Sequence, residues 1–253
     1  MTTIELYKPG KWCHYIDYPT SWDELALDEL RIFAHAIATN QSRQELLLLM
    51  LEMRAGKQKI NLPKGWQELL NFENAAIDGL PLVDMFLDNI NLTRNPFPEY
   101  EGYAGPADAF KNITVGEAEE AELHYLTYFS DRDDVHLLRL MRALWRKKMP
   151  SGLRIPFTDW QDTAMSFLLQ ADANTLQLVF LWYSGCRAML PAAFPELYNG
   201  GETGDTSPVS GLTQMIHHGA GTRNGTRANI RETLLLEFLY DCQLQVINNQ
   251  SNK

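Results

Sequence analysis

Cysteine is scarce in this chain. Cys13, Cys186 and Cys242 are odd in number and far apart, and no CxxC pair exists. That spacing supports neither a zinc knuckle nor a dithiol redox motif, and reduced thiols in a cytosol are the simplest state. Long apolar runs are also missing. The longest, Leu46–Leu51 and Leu178–Tyr183, span six residues each, whereas a membrane helix needs about 20. The opening Met1-Thr2-Thr3-Ile4-Glu5-Leu6 has no basic stretch followed by an apolar one, so no secretory leader is expected. The sequons at Asn40, Asn91, Asn112, Asn224 and Asn249 then reflect only Asn and Thr at caps and turns. Positive charge is in deficit: the net charge is −10, and such a chain repels a phosphate backbone overall, so nucleic-acid binding is disfavoured. No HExxH and no G-x-S-x-G occurs.

What is present is ordinary globular composition, 45% hydrophobic and 21% charged over 253 residues, enough for one sizeable core. The pattern predicts a mainly α, helical bundle-like single domain over 1–253 with a small N-terminal β-hairpin at 3–17. The hairpin rests on Ile4–Tyr7 and Trp12–Ile16, aromatic and β-branched, around the turn Lys8-Pro9-Gly10-Lys11. Four S/T-x-x-E/Q strings mark helix starts: Ser21–Glu24, Ser42–Glu45, Thr114–Glu117 and Thr158–Gln161. The first is followed by an apolar stripe of Leu25, Leu30, Phe33 and Ile37. Residues 57–106 are rich in Pro and Gly; short helices are expected near Gly65–Phe72 and Pro81–Asn89, then an extended connection over Asn95–Pro106, where the domain could subdivide. Pro150–Pro156 is a second break. Asn174–Leu190 is apolar on nearly every side and belongs at the centre of a bundle. Asn199–Ser210 reads as a flexible loop. A last helix is expected over Arg227–Val246, with a frayed polar tail at 247–253.

Few residues suggest chemistry. Glu120 and His124 lie one helical turn apart, but the Glu-x-x-His spacing of di-metal bundles is absent, so no metal and no other cofactor is expected. Ser184-Gly185-Cys186 sits inside the apolar helix, where Cys is usually a small core residue; no catalytic residue is assigned. Gly219, Gly221, Arg223, Gly225, Thr226 and Arg227 precede a helix and resemble an anion cradle. A nucleotide- or phosphate-binding enzyme using 219–227 is therefore an alternative function. Yet the Walker Lys is missing and a helix, not a strand, leads in, so a loop capped by Asn224 or Thr226 explains the same residues.

Charge segregation is more distinctive. Residues 117–134 carry seven acids against Arg132 alone, whereas 135–158 carry Arg139, Arg142, Arg146, Lys147, Lys148 and Arg154 with no acid. Arg139, Arg142 and Arg146 fall on one helical face. Either two antiparallel helices pair these charges internally, or Arg139, Arg142, Arg146, Lys147 and Lys148 form a docking surface for a protein partner.

Several strings carry a family resemblance: Tyr18-Pro19-Thr20-Ser21-Trp22-Asp23-Glu24-Leu25, Leu92-Thr93-Arg94-Asn95-Pro96-Phe97-Pro98, the run Gly105–Glu117, and Leu140-Met141-Arg142-Ala143-Leu144-Trp145-Arg146. Together they resemble uncharacterised phage and prophage proteins of Bacteroidota encoded near tail-morphogenesis genes. Residues 3–37 are also similar in outline to tail assembly chaperones, which have a short β element before a Pro-Thr lead-in to the first helix. The resemblance implies a non-enzymatic tail assembly chaperone or accessory tail-morphogenesis protein. Its partner would be a tail protein, the tape measure or the tube. Its location would be the cytoplasm of a bacterial host cell, or the virion.

Overall fold

A computed structural model describes residues 1–8, 12–62, 64, 66, 83–157, 171–198, 215 and 225–251. It is mainly α-helical with a two-stranded N-terminal sheet. Two compact units emerge, Met1–Leu92 and Thr93–Lys253, where the sequence suggested one domain with a possible subdivision at 95–106. Among the described residues no helix is long and apolar enough to cross a membrane.

In the first unit, β1 (Thr2–Lys8) pairs antiparallel with β2 (Trp12–Tyr18), with Ile4 opposite Ile16. Side chains alternate along a strand, so Ile4, Ile16 and Tyr18 are buried while Glu5, Tyr15 and Asp17 face out. The edge of β2 is capped by a side-chain amide: Asp17 N–H donates to Gln58 Oε1 and Gln58 Nε2 donates to the Asp17 carbonyl, at 3.2 and 3.1 Å.

The Ser21–Glu24 string does not open an α-helix. Residues Trp22–Glu24 form one 3-10 turn, and the Ser21 side chain makes no capping bond. The Glu24 carboxylate instead accepts from the Thr20 N–H at 2.7 Å and from the terminal amine at 3.1 Å. Helix α1 (Leu27–Thr39) starts three residues later, where the Ala26 N–H donates to Glu29 Oε2 at 2.7 Å. It stops at Asn40, whose φ of 52° is the left-handed conformation that Asn tolerates. Helix α2 (Arg43–Lys57) has the expected reciprocal Ser42/Glu45 box. Trp22, Phe33 and Phe86 form the aromatic centre, with centroids 4.9 to 5.6 Å apart. The Trp22 indole donates to the Phe86 and Asn89 carbonyls, which ties in helical residues 83–88. Buried Glu29 is matched by Arg54 at 2.7 Å and Lys57 at 3.2 Å.

In the second unit the expected extended connection is a small β element. Strands β3 (Glu99–Tyr100) and β4 (Tyr103–Ala104) flank Glu101 and Gly102, whose φ values of 48° and 80° are those of a tight hairpin turn. Strand β5 (Arg146–Lys147) adds to β4. Helix α3 (Val115–Asp131) opens with the expected Thr114/Glu117 box. Arg132 in the left-handed region and Asp133, which accepts from Val135 N–H at 3.0 Å, turn the chain into α4 (Asp134–Leu144). Helix α5 (Ala173–Ala193) is buried on most sides; its Trp182 meets Phe110 and Trp145 edge to face, and its Phe180 stacks on Tyr125. A single turn, α6 (Pro195–Tyr198), follows.

The last helix is two helices, α7 (Arg227–Glu232) and α8 (Leu235–Ser251). Between them the backbone pairs with the start of α3: Val115 N–H donates to the Thr233 carbonyl and Leu235 N–H to the Ile113 carbonyl, both at 2.9 Å. The break thus satisfies a first-turn amide of α3 that has no partner within its own helix. Residues 247–251, expected to fray, continue α8. The Gly65–Phe72 helix (save Trp66), the Thr158 start and the 199–210 loop lie outside the described residues.

Candidate functional site

Helices α3 and α4 bring the two oppositely charged runs together, and most of the charge is consumed inside the unit. Glu117 is fully buried and lies 2.7 Å from Arg146 Nη2 and 3.0 Å from Arg154 Nη1. Its other oxygen accepts from Thr114 N–H at 2.7 Å. Burial pushes the Glu117 carboxyl above its usual range, although both guanidiniums pull the other way. Burial likewise lowers Arg146 to about 10. Glu119 holds Arg227 and Arg231 of α7 at 3.0 and 3.2 Å. Glu122 accepts from Tyr183 Oη at 3.0 Å and Arg187 Nε at 2.8 Å.

Arg146 therefore leaves the set of exposed cations. The helix that would align it with Arg139 and Arg142 ends at Leu144, because Trp145 adopts an extended conformation and the chain enters β5. Its guanidinium points inward to Glu117. Lys148 is exposed and pairs with Glu99 on β3. Arg139 and Lys147 are exposed, and neither has an acidic partner among the described residues.

Arg139 and half-buried Arg142 line an open depression of about 290 Å³, together with Glu120 and His124 of α3 among the described residues. His124 Nε2 lies 3.3 Å from Glu120 Oε1. This hydrogen bond, helped by the fields of Arg231 and Arg142, holds the Glu120 carboxyl below its usual range even though burial opposes it. His136 of α4 pairs with Asp131 at 3.0 Å, and its ring centre is 6.1 Å from that of His124. The depression thus sets two guanidiniums against one carboxylate, with the His124 ring beside them. Glu120 and His124 pair as one-turn neighbours on α3. The approach of His136 to His124 is not legible in sequence, because it depends on the antiparallel register of α3 and α4.

The other sequence candidates have structural places. Thr226 caps α7, accepting from Asn229 N–H at 3.3 Å, and Arg227 is held by Glu119. Gly225 takes φ 84° before that cap. Gly219, Gly221 and Arg223 lie outside the described residues. Ser184 Oγ lies 3.0 Å from Tyr125 Oη, and Cys186 is a buried core residue. Among the described residues no three His, Cys, Asp or Glu side chains are grouped to hold a metal ion.

Comparison with known proteins returns no match: no family model, no curated protein and no solved structure aligns with this chain.

Proposed function

We propose that this chain is a non-enzymatic protein that works through protein–protein contact and presents Arg139 and Lys147 to an acidic segment of its partner. The observation that supports this most is charge distribution. In a chain of net charge −10, the acids of α3 are largely occupied within the unit, while Arg139 and Lys147 stay exposed with no acidic partner among the described residues. Exposed cations on an acidic protein steer an acidic partner and favour one docking orientation. Combined with the phage-type resemblance of the sequence, the partner is a tail protein, the tape measure or the tube, and the role is that of an assembly chaperone or accessory tail protein.

Co-expression tests this reading. The tape-measure protein of the same genetic element should stay soluble and co-purify with the wild-type chain, and should be lost from the complex with an Arg139→Glu/Lys147→Glu chain. Equal insolubility with and without the wild-type chain removes the chaperone role. Arg146 is left out of the charge reversal, since a glutamate beside Glu117 would unfold the unit for reasons unrelated to docking.

A further inference from the structure

We propose that the depression lined by Glu120, His124, Arg139 and Arg142 is a carboxylate-binding site that grips one acidic side chain of the partner. This rests on the reading above that the partner is acidic, and it names the group recognised and the residues that recognise it.

Arg139 and Arg142 are three apart on α4 and so occupy the same face. Guanidiniums present planar, forked donors that match a carboxylate better than an ammonium does. Both border one concavity, and the opposite wall is supplied by α3. There His124 is already oriented by its contact with Glu120, and Glu120 is kept ionised by that contact. Arg231 of α7, itself tied to Glu119, adds positive potential at Glu120. Arg142 is half-buried, so one side of the depression is pre-positioned, and Arg139 is exposed and able to close on a ligand. Two guanidiniums stand against the single carboxylate of Glu120 in the lining, so the fixed charges favour an anion, and the acidic partner proposed above supplies that anion as a side-chain carboxylate. Glu120 competes for the same guanidiniums, so its neutralisation should strengthen binding.

The test uses the full chain with three probes: a peptide of four consecutive glutamates flanked by Gly-Ser, the same peptide with glutamines, and inorganic phosphate. Titration calorimetry gives affinity, and nitrogen-15 spectra of the histidine rings report the place of binding. The glutamate peptide should bind and shift the His124 ring signals, and the glutamine peptide should do neither. Arg139→Gln should weaken binding at least tenfold, and Glu120→Gln should tighten it several-fold. If the glutamate peptide binds while His124 is silent and Arg139→Gln has no effect, the depression is not the site, although an acidic partner still stands. If the tail protein is not recruited yet the peptide binds with the stated mutational effects, the site stands and the partner reading falls. Phosphate binding more tightly than the glutamate peptide overturns the assignment to a carboxylate.

Discussion

Glu117 is the single negative charge between two buried guanidiniums, and Glu117→Gln removes that charge with little change in volume. The Arg146 and Arg154 side chains are only 5% and 7% exposed, so water cannot take over the role of the carboxylate. Two effects compete. The amide relieves the desolvation cost of a buried carboxylate, the same cost that raises the Glu117 pKa. Against that, two cations lose their counter-charge, and stranding even one partner of a buried pair costs about 3–5 kcal/mol. Two stranded cations outweigh one relieved anion, so a net loss of about 3–5 kcal/mol is expected from a domain stability on the order of 5–15 kcal/mol. For a unit of this size that lowers the melting temperature by roughly 6–20 °C. Urea denaturation followed by near-ultraviolet circular dichroism reads it through Trp145 and Trp182, which pack 5.9 Å apart in the same unit. Adding Arg146→Met should return part of the loss. Only Arg154 then lacks the carboxylate, and it keeps its bonds to the Leu144 and Asn112 carbonyls at 2.7 and 2.6 Å. A single-variant loss below about 1 kcal/mol, in the range of an exposed pair, or strict additivity in the double variant, refutes the buried-triad account.

Gly105→Ala should destabilise the second unit by about 1–3 kcal/mol, the usual cost of overpacking. The added methyl would meet Trp145 Nε1 at 2.5 Å and the Phe97 carbonyl at 2.6 Å; a thermal shift within one degree of wild type counts against it. The Asp28 carboxyl is held below its ordinary range chiefly by its hydrogen bond from Lys57. Its contribution is therefore present above the usual carboxylate pKa and lost as pH falls through the depressed one. Asp28→Asn should cost less than about 1 kcal/mol at pH 7, the pair being exposed, and the gap from wild type in urea midpoint should close in acid; a gap that widens in acid reverses the sign. Burial and Asp241 push the Cys242 thiol to about 11, so at pH 8 its alkylation, followed by peptide mass mapping, should run roughly two orders of magnitude slower than that of an ordinary thiol.

Local signals in the sequence mark the elements well where they are self-contained. The Ser42/Glu45 and Thr114/Glu117 boxes form as written, and the all-round apolar stretch at 174–190 is the buried α5, because capping and helical burial depend on neighbours a few residues apart. Elements decided by distant partners are not legible. Nothing near Thr233 shows that its carbonyl will be taken by Val115, so one helix is expected where two exist. The Ser21 string fails because Glu24 finds the terminal amine and Thr20 instead. Three of the strings that carried the family resemblance lie almost wholly in the second unit and knit it together. Asn95 donates to the Pro106 carbonyl and accepts from Phe97 N–H. The Trp145 indole donates to the Phe97 carbonyl, and Arg146 meets Glu117. The charged run at 135–158 could be noticed in sequence but not divided, since only the turn at Trp145 separates inward Arg146 from outward Arg139.

The most direct test of the account is the affinity of the chain for the tail protein proposed as its partner, measured across a salt series for wild type and for Arg139→Glu/Lys147→Glu. Exposed charges are screened beyond about 8–10 Å at physiological salt. Wild-type binding should therefore weaken steadily as salt rises, and the reversed chain should bind at least tenfold more weakly at low salt while melting like wild type. Salt-independent binding that both chains share equally would contradict a function carried by the exposed cations of α4 and β5.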